Sequence, residues 1–143
     1  MNILFVCTHN RCRSILAEAI CSARSNDQIK AFSAGSQPAG VVFPGTLKFL
    51  ESEGISFGDL KSQSWDEFAD ADIDVVITVC DSAAGESCPL WMGKATKVHW
   101  GLPDPSKVEG NEEDIAAAFK GVIRTLERRV DALNAIPFEK MDA

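Results

Sequence analysis

The sequence predicts an α/β fold: one parallel sheet flanked by helices. Short apolar runs of strand length alternate with longer segments whose apolar residues recur at spacings of three and four. The chain of 143 residues, 45% hydrophobic and 24% charged, matches one soluble globular unit, expected to span residues 1–143. Ile3–Val6 is a continuous apolar run without glycine or proline, the pattern of a strand buried on both faces. Over Ser14–Ser25, residues Ile15, Leu16, Ala19, Ile20 and Ala23 mark one buried helix face. Ile29–Ala34 reads as a second strand closed by Gly35, and Gly45–Ser52 as a helix closed by Gly54. Asp74–Val79 is a third strand ending at Cys80, followed by the polar stretch Asp81–Gly93. Thr96–Trp100 is a short fourth strand, and Gly101–Gly110 is a loop rich in proline and glycine. Glu112–Ala135 is a long amphipathic helix. Asn111 suits its N-cap, acidic residues fill its first turn, and Arg124, Arg128 and Arg129 lie toward its far end, as the helix dipole favours.

Strands alternating with helices imply right-handed crossovers and a doubly wound sheet. In such sheets ligands bind outside the carboxyl ends of the strands. Cys7, Cys80 and Asp104 all follow strands, so they are expected along one edge. The net charge of −7, from 14 basic and 21 acidic residues, argues against nucleic-acid partners and anionic membranes. No apolar run approaches the roughly 20 residues that cross a bilayer. The start lacks the basic flank and long apolar core of a secretory signal, so a reducing cytoplasmic setting is expected. Five cysteines, at 7, 12, 21, 80 and 88, are then core fillers, metal ligands or redox groups rather than structural disulfides.

The segment Cys7-Thr8-His9-Asn10-Arg11-Cys12-Arg13-Ser14 joins the first strand to the first helix. A tight turn there aims backbone N–H groups and the positive end of the helix dipole into one concavity. Residues 8–14 are therefore the expected substrate-binding loop. Arg13 offers a planar clamp for a tetrahedral oxyanion. The same field favours a thiolate at Cys7, and Ser14 is placed to donate to that sulfur. The bland alternative, a strand-end cysteine and a solvated arginine, is less natural between a buried strand and a helix. Cys12 and Cys21 read most simply as packing residues, and Cys80 divides evenly between packing and chemistry. A zinc site built from Cys7, Cys12, Cys80 and Cys88 fits poorly, because structural zinc pairs its ligands more closely; no metal is assigned.

Cys7-x5-Arg13-Ser14 near the start, with Asp104-Pro105 late in the chain, resembles the low-molecular-weight protein tyrosine phosphatase superfamily along essentially the whole length. The cysteine pair after the third strand and the segment His99-Trp100-Gly101-Leu102-Pro103-Asp104-Pro105 resemble its arsenate reductase branch. The resemblance implies a four-stranded parallel sheet, with Cys7 as nucleophile, Arg13 as anion ligand and Asp104 as general acid. It further implies a thiol relay serving arsenic detoxification. Cys7 attacks arsenate, Cys80 attacks Cys7 to release arsenite through a transient Cys7–Cys80 disulfide, and Cys88 moves the bond to Cys80–Cys88. Arsenate reduction takes two electrons, and closing one disulfide supplies two. Bridging requires Cα atoms within about 7 Å, so rearrangement of Asp81–Gly93 is expected. No tightly bound cofactor is expected. The reductant would be thioredoxin, or alternatively glutaredoxin with a low-molecular-weight thiol, and the chain would act as a monomer. The alternative function is a protein tyrosine phosphatase or small phosphomonoesterase using Cys7, Arg13 and Asp104 alone. Against it, the chain has no tyrosine and reads Ser106-Lys107 after Asp104-Pro105. Asn10, Glu18 and Ser33 match part of a potassium site found in some relatives, but no acidic counterpart lies near Gln63.

Overall fold

The computed structural model describes residues 1–25, 29–58, 60–68, 71–80 and 95–135. Four strands, β1 (Asn2–Cys7), β2 (Lys30–Gly35), β3 (Val75–Thr78) and β4 (Thr96–His99), form one sheet in the order β2-β1-β3-β4. All three pairings are parallel: Cys7 lies opposite Gly35, Val6 opposite Thr78, and Thr78 opposite His99. Ile3, Leu4, Phe5 and Val6 are completely buried, as a continuous apolar run at the centre of a parallel sheet should be. The chain leaves β1 toward β2 and then returns across β1 to β3. The carboxyl ends of β1 and β3 thus flank a topological switch point, where open α/β sheets place their ligand crevices.

Helices α1 (Arg13–Arg24), α2 (Pro44–Ser52) and α3 (Glu112–Asn134) begin and end within about a residue of their sequence patterns. Asn111 caps α3 through a reciprocal capping box: its side chain accepts from Asp114 N at 2.9 Å, and Asp114 Oδ2 accepts from Asn111 N at 3.4 Å. Leu16, Ile20, Leu50, Phe119, Ile123 and Leu126 join Ile3, Phe5 and Ile77 in one core against the first face of the sheet. Phe119 stacks on Phe49 at 4.4 Å and on Phe43 at 6.3 Å between ring centroids, tying α3 to both ends of α2. The second face holds Leu4, Val6, Ala34 and Val76. Among the described residues, Trp65 and Phe68 of a 3₁₀ turn, Trp65–Phe68, pack on it together with Ile73 and Ala95, and Phe68 lies 5.7 Å from Phe32. Leu50 sets α2 on the face that also holds α1 and α3. The edge strand β4 is exposed along its length, and His99 Nδ1 lies 2.8 Å from Thr78 Oγ1. Trp100 packs on Phe5 at 5.9 Å.

Candidate active site

The connection from β1 to α1 closes on the sulfur of Cys7. Asn10 occupies the left-handed region, with φ 45°, a conformation asparagine tolerates better than most residues. This turn lets Asn10 N donate to Cys7 Sγ at 3.2 Å. Asn10 Oδ1 accepts from Gln63 N at 2.7 Å, which fixes the amide orientation, and Nδ2 then donates to Ser14 Oγ at 2.8 Å. Because Ser14 Oγ accepts there, its own hydrogen is available for Cys7 Sγ at 2.9 Å. Two donors thus converge on one buried sulfur, an arrangement suited to a thiolate.

The opposite wall of the cradle comes from β2. A Cβ built on Gly35 would stand 2.6 Å from Thr8 O and 3.0 Å from Asn10 N, so glycine is needed there for close backbone approach. Gly35 N donates to Gln63 O at 2.9 Å, and Gln37 N to Thr8 O at 2.8 Å, pinning the loop to the segment after β2. His9 is exposed on the rim, with Nδ1 3.1 Å from Gln37 O.

Arg13, the first residue of α1, is 5% exposed. It donates from Nη1 to Leu102 O at 3.0 Å, while Nη2 lies 3.7 Å from Asp104 Oδ2. The loop after β4 is therefore drawn to the cradle by the guanidinium expected to clamp the anion. Asp104 caps a short 3₁₀ turn, Pro105–Lys107. Its Oδ1 accepts from Ser106 N at 3.0 Å and from Ser106 Oγ at 2.6 Å. Arg11 lays its guanidinium over the Phe43 ring at 4.9 Å and donates to Ser106 Oγ at 2.8 Å. Its carbonyl accepts from Phe43 N at 3.0 Å and Thr46 Oγ1 at 3.2 Å.

Cys12 is buried beside the cradle, and burial pushes its thiol up to about 12, the hydrogen bond to Thr46 opposing only part of the rise. Cys21 is buried on α1, and burial raises its thiol likewise. Both therefore keep the packing role expected of them. Cys7, Cys12 and Cys21 are free thiols, whereas Cys80, buried two residues beyond the end of β3, is disulfide-bonded. Val79 N donates to Val6 O at 3.0 Å, so the β3 end runs alongside Cys7. Cys88 and the expected rearrangement of Asp81–Gly93 lie outside the described residues. Glu18 accepts from Ser33 Oγ at 2.5 Å, and burial raises its carboxyl above the ordinary range despite that bond. No cluster of three or more histidine, cysteine or acidic residues able to hold a metal occurs among the described residues. Among those residues, no helix is long and apolar enough to cross a membrane.

The structure brings together Cys7, Asn10, Arg13, Ser14 and Asp104 from the expected set. It adds Gly35, Gln63 and Ser106, which the motif reading missed. Ser106 carried a usable signal, since Asp-Pro-Ser is an ordinary side-chain-capped turn. Gln63 carried none, because it holds Asn10 and Gly35 through its backbone N–H and carbonyl.

The family model for low molecular weight phosphotyrosine protein phosphatase matches residues 2–141. The arsenate reductase of Halalkalibacterium halodurans is 34% identical over 128 residues, covering 90% of this chain and 91% of that protein. The crystal structure of arsenate reductase from Archaeoglobus fulgidus superposes with a TM-score of 0.78 at 28% identity, covering 94% of this chain and 99% of the other. A thioredoxin-dependent arsenate reductase from Corynebacterium glutamicum superposes with a TM-score of 0.62 at 28% identity, over 92% of this chain and 62% of the other. The chain belongs to the low molecular weight phosphotyrosine protein phosphatase family and, within it, is similar to arsenate reductases.

Proposed function

We propose that this protein reduces arsenate to arsenite, with Cys7 as the nucleophile. The observation that carries the reading is the pairing of β1 with β3, which sets Cys7 and Cys80 at the ends of neighbouring strands beside one anion cradle. Hydrolysis of a phosphate ester needs the cradle, Arg13 and Asp104 but no second thiol. The similarity to arsenate reductases supports the same choice.

Residues Thr8 to Ser14 would enclose the tetrahedral anion, with Arg13 as its planar clamp. Cys7 Sγ attacks arsenic, the bond to one arsenate oxygen breaks, and Asp104 gives that oxygen a proton. Cys80 then attacks Cys7 Sγ. The Cys7–arsenic bond breaks, its electron pair stays with arsenic, and As(III) leaves as arsenite. The Cys7–Cys80 disulfide holds the oxidation. Cys88 attacks Cys80, freeing Cys7 and moving the disulfide to Cys80–Cys88, where an external dithiol reduces it. Thioredoxin is the proposed reductant, supported by the thioredoxin dependence of the Corynebacterium glutamicum neighbour. The proposed role is arsenic detoxification in a reducing compartment.

The test is single-turnover arsenite release without external reductant. Cys88→Ser is expected to release one arsenite per chain and trap Cys7–Cys80, and Cys80→Ser to release none. Multiple turnover by either variant with thioredoxin would overturn the relay. Comparing thioredoxin with glutaredoxin plus a low-molecular-weight thiol identifies the reductant.

A further inference from the structure

The geometry points to Ser106 as a positioning residue that determines which oxygen of Asp104 carries the proton delivered to the leaving group. This rests on the proposed role of Asp104 as general acid. Asp104 Oδ1 accepts two hydrogen bonds from Ser106, one from the backbone N–H at 3.0 Å and one from the hydroxyl at 2.6 Å. An oxygen whose lone pairs face two donors is a poor place for a carboxyl proton. The proton is thereby directed to Oδ2, the oxygen 3.7 Å from the Arg13 guanidinium. When Cys7 Sγ bonds to the central atom of the anion, the bond to the leaving oxygen breaks. The Oδ2 proton passes to that oxygen, leaving Asp104 as a carboxylate.

The hydroxyl of Ser106 is itself held. It spends its single hydrogen on Asp104, so it meets Arg11 Nη2, 2.8 Å away, with a lone pair. Arg11 belongs to the cradle loop and lies over Phe43, which stacks on Phe119 of α3. The loop that binds the anion therefore also sets the rotamer that orients the acid. A purely structural cap would need only the backbone N–H of Ser106, which Ser106→Ala retains.

Two readouts separate positioning from capping. Ser106→Ala is expected to slow single-turnover arsenite release at saturating arsenate about 10-fold, a fraction of what a general acid contributes. Half-saturating arsenate should stay within about 2-fold, as for a group acting only in the transition state. Ser106→Thr, which keeps the hydroxyl, should restore the rate. With aryl phosphates as probes, Ser106→Ala should slow hydrolysis of phenyl phosphate about 10-fold and of 2,4-dinitrophenyl phosphate less than about 2-fold, because only the poorer leaving group needs the proton. Equal slowing of both esters, an unchanged arsenate rate, or failure of the threonine variant to restore it would overturn the role of Ser106. A wild-type chain that hydrolyses the esters but releases no arsenite would overturn the reductase reading, with the ester pair still deciding Ser106. A wild-type chain that turns over neither would overturn both.

Discussion

Replacing Gly35 with alanine tests whether the cradle depends on backbone approach. The new Cβ would lie 2.6 Å from Thr8 O and 3.0 Å from Asn10 N. Carbon–oxygen contacts ordinarily start near about 3.3 Å, so the loop must retreat by roughly 0.7 Å. Thr8 O is tied to Gln37 N at 2.8 Å, and Asn10 N donates to Cys7 Sγ at 3.2 Å. The retreat therefore moves the cup itself. Overpacking of this kind costs about 1–3 kcal/mol, offset by about 0.4–1 kcal/mol from the restricted unfolded chain. The net loss is about 1–2 kcal/mol, or a Tm lower by roughly 3–8 °C for a chain of this size. A misplacement approaching 1 Å costs about 10²-fold in a positioned site, so phosphate, as a non-reduced anion, should bind between ten- and a hundredfold more weakly. Calorimetric titration with phosphate and a thermal melt measure both quantities. The control is Gly121→Ala in α3, where a Cβ meets nothing within 4 Å; it should stabilise by about 1 kcal/mol. Phosphate affinity and melting at wild-type level or above in Gly35→Ala would refute the reasoning.

Three further outcomes follow from the site and its surroundings. Burial raises the Glu18 carboxyl in the folded chain, so folding favours its protonated form. Stability from this group is complete below its ordinary value of 4.5 and is lost as pH rises through the raised folded value. Relative to Glu18→Gln, the wild type should weaken in urea unfolding as pH rises above the ordinary carboxylate value of 4.5, and a difference that stays constant as pH rises would contradict the assignment. Cys12, pushed up to about 12, should resist iodoacetamide at pH 8 while Cys7 is alkylated, as peptide mapping would show; equal labelling would place Cys12 in a different environment. Arg13→Lys loses the planar fork that now reaches Leu102 O and Asp104 together. It should weaken phosphate binding by about tenfold or more, and titration at wild-type affinity would remove Arg13 from the anion site.

The sequence made the strands and helices legible because buried and amphipathic faces leave periods of apolar residues. Ile3–Val6 and the 115–133 face of α3 are the clearest cases. Strand order was not legible. Period 2 and period 3.6 record which face is buried but not which neighbour is paired, and the return of the chain across β1 leaves no mark in composition. The cradle was legible where its parts are local: Cys7, Asn10, Arg13 and Ser14 fall within one turn of chain. Its outer supports were not. Gln63 contributes backbone 53 residues from Asn10, and Gly35 acts through the absence of a side chain. Arg11 lies in the expected anion loop, and its guanidinium also reaches Ser106, 95 residues away, a separation no local pattern encodes.

The position of β1 between unequal neighbours divides the site mechanically. On one side, β1 is in register with β2 over six residues, and Gly35 is bonded onward to Gln63. On the other, β3 matches it over four residues, and the partner of β3 is the exposed edge strand β4. Peeling back the end of β3 breaks the bond from Val79 N to Val6 O. It breaks none of the bonds that hold Asn10, Ser14 and Gly35 around the sulfur. The crevice thus has one anchored jaw and one releasable jaw. The proposed attack of Cys80 on Cys7 would then draw on the β3 side alone, leaving the bonds around the Cys7 sulfur in place.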